Sequence, residues 1–135
     1  MRCGTLMAGA ALLCATMTFA GDTGSGRRSA LGAAPARAHP VTNPYAGNTE
    51  ALRAGRKLFV RHCAECHGEG GLGAGRAPGL LSTSVRLASP GDLFWFLTNG
   101  DRSAGMPSWS RLPDARRWQI VTFVKSLDAA PSSQP

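Results

Sequence analysis

Near the middle of the 135-residue chain, two cysteines and a histidine stand together as Cys63-Ala64-Glu65-Cys66-His67. Two residues three positions apart on a helical turn lie on the same side of it. Their thiols can therefore reach the two vinyl groups of one porphyrin and form thioethers, and the adjacent histidine then projects toward the iron. The pentapeptide predicts covalent attachment of one haem c through Cys63 and Cys66, with His67 as an axial ligand.

The same cysteine spacing also occurs in redox dithiols and in structural zinc sites. A thioredoxin-like dithiol requires a βαβ pattern, and the sequence contains no convincing run of alternating apolar and polar residues. A structural zinc ion requires four ligands with paired spacing. The only other histidines are His39 and His62, and there is no second C-x-x-C motif. Both alternatives are therefore weaker than haem c.

A second axial ligand must come from outside the motif, and the candidates are His39, His62 and Met106. Met106 lies 39 residues after His67 in a polar, glycine-bearing loop. Such a loop is a poor place for a methionine that only fills a core. His39 requires the preceding segment to fold back, and His62 lies on the wrong side of its helical turn. Met106 is therefore the favoured ligand.

Three helices are predicted to position these residues. The first begins near Asn48, a good N-cap residue, the second begins after Ser89 and ends at Asn99, and the third begins near Asp114. The apolar faces comprise Leu52, Gly55, Phe59 and Cys63 in the first helix, and Trp118, Val121, Val124 and Leu127 in the third. Because three short helices joined by long loops bury little apolar surface, a domain of this size needs a cofactor or a similar staple.

Composition divides the chain into four segments. Residues 1–20 carry one charge, Arg2, and end in small residues, which predicts a cleaved signal peptide; an uncleaved membrane anchor is the alternative. Residues 21–44 are rich in Gly, Ala, Ser, Pro and Arg and are predicted to be a flexible linker. Residues 45–129 form the folded domain, and 130–135 form a disordered tail. An exported, periplasmic protein without stable membrane insertion is expected.

The net charge of the chain is +7, with 15 basic and 8 acidic residues. This excess could indicate nucleic-acid binding, but part of it falls outside the folded domain, which has 11 basic and 7 acidic residues. The only close basic pairs in the domain are Arg56-Lys57 and Arg116-Arg117, which are predicted to lie on solvated helix faces. No nucleic-acid partner is therefore expected.

From about Asn48 to Leu127 the chain resembles the class I monohaem cytochrome c family, of the small exported bacterial type. Cys63 to His67 matches the haem motif, and the stretch that begins at Gly55 resembles the helix that the C-terminal helix crosses closely. Ala77-Pro78-Gly79-Leu80 and Gly105-Met106-Pro107 resemble two loops that border the haem. The resemblance implies an all-α cytochrome c fold, with three to five short helices wrapped around one covalently bound haem. It also implies that the Pro78 carbonyl accepts a hydrogen bond from His67 and that Leu80 covers the haem.

What the resemblance implies about function is single-electron transfer with His/Met ligation. Two filled axial positions leave no site where a substrate could bind the iron, so an enzyme is not expected. The partners would be redox proteins (a dehydrogenase, an oxidase or another cytochrome), met by a monomer through a mildly basic surface that includes Arg61, Arg76, Arg102 and Arg111. The alternatives are a haem subunit held permanently in a dehydrogenase or oxidase complex, and a haem enzyme or sensor with an open iron position.

Overall fold

The computed structural model describes residues 30–75 and 77–127 of the chain. These residues form five α-helices: α1 (Thr49–His62), α2 (Ala64–His67), α3 (Thr83–Leu87), α4 (Pro90–Asn99) and α5 (Asp114–Ser126). They also form 3-10 turns at Ala30–Ala33, Ala36–Ala38 and Arg102–Ala104, and their only β-pairing is an isolated bridge. The predicted all-α fold is confirmed. The predicted signal peptide (1–20) and tail (130–135) lie outside the described residues.

Local side chains fix the helix ends that the sequence predicts. Asn48 precedes α1, and its Oδ1 accepts a hydrogen bond from the Ala51 N–H at 2.9 Å. Ser89 and Asp92 form a reciprocal capping box at the start of α4, with both hydrogen bonds at 3.1 Å. These bonds satisfy N–H groups that have no partner within the helix. Within the described residues, no helix is long and apolar enough to cross a membrane.

Helices α1 and α5 cross at Gly55, and this crossing builds the core. A Cβ atom on Gly55 would lie 2.0 Å from the Gln119 backbone oxygen, so only glycine permits this approach. One turn further along α1, the ring of Phe59 packs against that of Phe123 with centroids 5.1 Å apart. Phe59 and Val121 are the largest fully buried side chains of the described residues. The predicted close crossing is therefore present, and α1 is held rigidly where it leads into Cys63.

We expect Gly55→Ala to destabilise the protein although alanine favours helices by about 1 kcal/mol over glycine. The added methyl group must push α5 away, and overpacking of this kind costs typically 1–3 kcal/mol or more. Guanidinium unfolding of the holoprotein measures the free energy of unfolding. Gly70→Ala is the matched control, because a Cβ atom at Gly70 meets nothing within 4 Å. Equal or higher stability of Gly55→Ala than of wild type would contradict the crossing.

The segment predicted as a linker packs on the domain from residue 30 onward, which differs from the sequence expectation. The Ala38 carbonyl lies over Gly91 at the start of α4, so closely that a Cβ on Gly91 would stand 1.9 Å from it. The His39 Nδ1 atom is 2.8 Å from the Asp92 carboxylate, and Asn43 donates a hydrogen bond to Thr122. This packing uses small residues and backbone contact, so a search for large apolar side chains does not reveal it.

Two further differences concern the loops and one helix face. Helix α3 lies in the long loop that was predicted between the first two helices, and the turn Arg102–Ala104 lies in the loop that was predicted before the third. Arg116 is exposed as predicted, whereas Arg117 is buried with only 6% of its surface accessible. Only one of the two arginines on α5 therefore lies on the solvated face.

Candidate cofactor site

The cysteine-histidine motif occupies the tight turn between α1 and α2. The Cys63 N–H donates to the Phe59 carbonyl at 2.7 Å, and the Cys63 carbonyl accepts from the Cys66 and His67 N–H groups at 3.2 and 2.9 Å. The turn is thus anchored to Phe59, whose side chain is fully buried. Cys63 is half-buried against the core, Cys66 is exposed, and both thiols are free.

The thiol of Cys63 has an unusually high pKa. Burial, followed by the repulsion of the Cys66 thiolate, raises the pKa of Cys63 to about 11. A reactive redox dithiol instead requires a cysteine with a lowered pKa, because the thiolate is the nucleophile. Cys63 therefore lacks the lowered pKa of a nucleophilic thiol.

His67 is oriented by the loop that follows it. Its Nδ1 atom lies 3.1 Å from the Pro78 carbonyl oxygen. Since a carbonyl can only accept, Nδ1 carries the proton of this hydrogen bond and the lone pair of the neutral ring is on Nε2. The loop is closed by two backbone bonds, from Gly73 N–H to the His67 carbonyl at 2.8 Å and from Leu80 N–H to the Gly71 carbonyl at 2.7 Å. The hydrogen bond fixes the orientation of the ring and leaves Nε2 as the nitrogen that could bind a metal.

Met106 lies in a segment that is tied to the end of α4. Asp101 and Met106 exchange two backbone hydrogen bonds, of 3.0 and 2.8 Å. The Asp101 carboxylate also accepts from the N–H groups of Ser103 and Ala104. The hydrogen bond from the Ser103 side chain, aided by these backbone bonds, lowers the pKa of Asp101. The capping role of Asp101 was not predicted, although an aspartate two positions before Ser103 is a local capping signal.

The other candidate residues are placed as follows. Leu80 and Met106 are half-buried and pack against the same core cluster as Cys63, together with Trp109. The His62 ring stands 5.2 Å from the Trp109 ring, and His39 is bonded to Asp92. The structure thus joins His67 to Pro78 directly and gathers Cys63, Leu80 and Met106 around one core.

These residues fit a covalently bound haem. Two free thiols stand at the required spacing, His67 presents an unblocked Nε2, and Leu80, Met106 and Trp109 offer half-buried apolar surface. The residues present thus fit the haem that the sequence predicts.

Comparison with known proteins decides the family. Residues 50–124 match the family model described as cytochrome c oxidase, cbb3-type, subunit III. The chain belongs to this family of cytochromes c. The matched region contains the single C-x-x-C-H motif, Pro78, α4 and Met106, so all the candidate site residues of this monohaem cytochrome c lie inside the family domain.

A solved structure shows the same fold. The crystal structure of cytochrome cL from the marine methylotrophic bacterium Methylophaga aminisulfidivorans is 30% identical in sequence and superposes with a TM-score of 0.56. The alignment covers 63% of this chain and 58% of that chain. This cytochrome c therefore spans somewhat more than half the length of that protein. No curated protein matches the chain.

Proposed function

We propose that this cytochrome c is a single-electron carrier whose haem c is attached through Cys63 and Cys66 and ligated by His67 and Met106. The observation that supports the proposal is the hydrogen bond from His67 Nδ1 to the Pro78 carbonyl, which fixes the ring so that Nε2 would be available to the iron. When bound, the haem supplies an iron that cycles between the ferric and ferrous states. A potentiometric titration of the holoprotein should give one reversible transition with n = 1, and a multi-electron transition would contradict the proposal.

Each of the other site residues has its own role in this proposal. Pro78 fixes the ring orientation and the tautomer of His67 through the hydrogen bond. The Met106 thioether is a soft donor and favours the reduced metal, which raises the potential. Leu80 and Trp109 are half-buried against the core and would limit the access of water to the cofactor. If His67 and Met106 both bound the iron, no coordination position would remain for a substrate, so we propose outer-sphere electron transfer and not catalysis.

Cellular placement is part of this proposal. Residues 1–20 act as a signal peptide that is cleaved on export, and the folded part works as a monomer in the periplasm. Support comes from the uncharged run after Arg2 and from the C-x-x-C-H motif itself. An uncleaved anchor is the alternative, and N-terminal sequencing of the purified protein distinguishes the two.

A second candidate function is that of a haem subunit held permanently in a larger complex. It is favoured by the description of the matching family, which is that of an oxidase subunit. A free carrier should elute from gel filtration of a native extract at the mass of a monomer. Elution at the mass of a stable complex, resistant to high salt, would favour the subunit.

Charge steering provides a further prediction. Arg61, Arg102 and Arg111 are exposed, as predicted for a basic docking surface, and Arg76 lies outside the described residues. Oxidation of the ferrous protein by the anion ferricyanide should slow by roughly 3- to 10-fold between low and high ionic strength, because salt screens the attraction. Stopped-flow absorbance measures this rate. A cationic oxidant such as tris(phenanthroline)cobalt(III) is the control and should react faster with added salt; an identical response to both reagents would contradict steering.

A further inference from the structure

Arg117, near the start of α5, is a buried cation that the proposed function does not use. Its guanidinium donates hydrogen bonds to Thr98 Oγ1 at the end of α4 and to the Asp114 carboxylate on its own helix. Its central carbon lies 4.7 Å from the centre of the Phe94 ring, which stacks on Trp118 at 4.1 Å. Arg117 therefore contacts the last turn of α4 by a hydrogen bond and a ring contact.

The same turn of α4 holds the segment that carries Met106. The Thr98 carbonyl accepts a hydrogen bond from Ser108 Oγ at 2.6 Å, and the Leu97 carbonyl accepts from the Trp109 N–H at 3.1 Å. These are carbonyl groups at a helix end, which have no partner inside the helix. The position of the Met106 segment thus depends on the position of the turn that Arg117 contacts.

The burial of Arg117 has no evident benefit for stability. Its acidic partner, Asp114, has 77% of its side chain exposed, and the Nε atom of Arg117 is buried without a hydrogen-bond partner. Replacing a buried ion by an apolar residue of similar volume is often neutral or stabilising. An apolar side chain would leave Thr98 Oγ1 satisfied as well, because this hydroxyl donates to the Phe94 carbonyl at 2.7 Å. A role other than stability would explain the buried arginine.

We propose that Arg117 is a positioning residue that fixes the last turn of α4, and thereby the segment 101–109 with Met106, against α5. Two directed hydrogen bonds and a stacked guanidinium specify one position, which a flexible apolar side chain would not do. The inference rests on the proposed function only where Met106 is taken as the iron ligand; the fixing of the segment itself does not depend on that assignment.

The test compares Arg117→Met with Arg116→Met in the holoprotein. Arg116 is the adjacent, exposed arginine and loses the same charge. In Arg117→Met, amide hydrogen exchange in residues 101–109 should be roughly tenfold faster, the factor expected when hydrogen bonds to a charged group are lost. Exchange in α1 and the guanidinium midpoint should stay unchanged. Imidazole should bind to the ferric protein faster by a similar factor, and Arg116→Met should resemble wild type in every measurement.

Each other outcome has a defined meaning. Wild-type exchange in residues 101–109 of Arg117→Met overturns the inference, and so does faster exchange throughout the protein, which would show a general structural role. Faster exchange in 101–109 with unchanged imidazole binding supports the positioning role and contradicts Met106 as ligand. If Arg117→Met fails to fold, Thr98→Val is the alternative test. It removes the hydroxyl that accepts from Arg117, keeps the arginine, and should also accelerate amide exchange in residues 101–109.

Discussion

Replacing Cys63 and Cys66 together with alanine should leave the chain without covalent haem and largely unfolded. The reason is the size of the core: among the residues that the structure describes, the buried cluster has eight members, and its partly buried neighbours include Leu80, Met106 and Trp109. A core of this size does not offset the conformational entropy of the chain without a staple. Far-ultraviolet circular dichroism of the purified variant should show loss of most helical signal, and denaturing gels stained for haem should show no band.

The matched control for this prediction is Thr83→Ala/Ser84→Ala. These two positions are exposed on the short helix α3, so the same number of side chains is truncated away from the motif. The control should bind haem and show the circular dichroism of wild type. A double cysteine variant that is well folded and free of haem would refute the argument, because the polypeptide core would then be sufficient by itself.

Met106→Ala should open the sixth coordination position without dismantling the loop. The backbone pairing between Asp101 and Met106 does not involve the thioether, so alanine retains it. The ferric protein should lose its sulfur-to-iron charge-transfer band and bind cyanide or imidazole readily. Its reduction potential should fall by on the order of 0.1 V or more, since axial ligands set the potential of haem over a wide range.

Met106→His is the companion variant for the axial assignment. Imidazole is a stronger donor to ferric iron than a thioether, so this variant should remain low-spin and still have a lower potential. Absorbance spectra and potentiometric titration distinguish the three proteins. An unchanged spectrum and potential in Met106→Ala would show that another residue is the ligand, with His62 and His39 as the remaining candidates.

The parts of the fold that sequence analysis predicted depend on local chemistry. The capping box of Ser89 and Asp92 and the N-cap of Asn48 are recognisable because the bonding partners lie three positions apart. The crossing at Gly55 was implied by the resemblance to a family and is confirmed by the absence of room for a Cβ atom. Such features are encoded within one or two turns of a helix.

The parts that were missed depend on contacts between distant segments. Residues 30–44 contain few large apolar side chains, yet Ala38 is buried because its carbonyl meets Gly91, more than fifty positions away. Arg117 was predicted to lie on a solvated helix face. No neighbouring residue in the sequence indicates that the Phe94 ring and the Thr98 hydroxyl contact it. Helix α3 is a single turn and is too short to show a periodic apolar pattern.

The same division between local and distant features holds for the cofactor site. The roles of Cys63, Cys66 and His67 follow from one pentapeptide, and their assignment as cofactor ligands stays a prediction until haem binding is measured. That Pro78 and His67 lie within hydrogen-bond distance was implied only by family resemblance, since the two residues are eleven positions apart in the sequence. The bonds that tie Ser108 and Trp109 to α4 left no recognisable trace in the sequence.

The crossing of α1 and α5 also determines how early the core can form while the chain is being made. Polypeptides are made from the N-terminus onward, so the cysteine-histidine turn emerges long before Phe123, the residue against which Phe59 packs. Until α5 is complete, the apolar face of α1 has no partner and the turn that follows it stays accessible. The complete core half-buries Cys63, so its thiol is more accessible in any state in which α5 has not yet packed against α1.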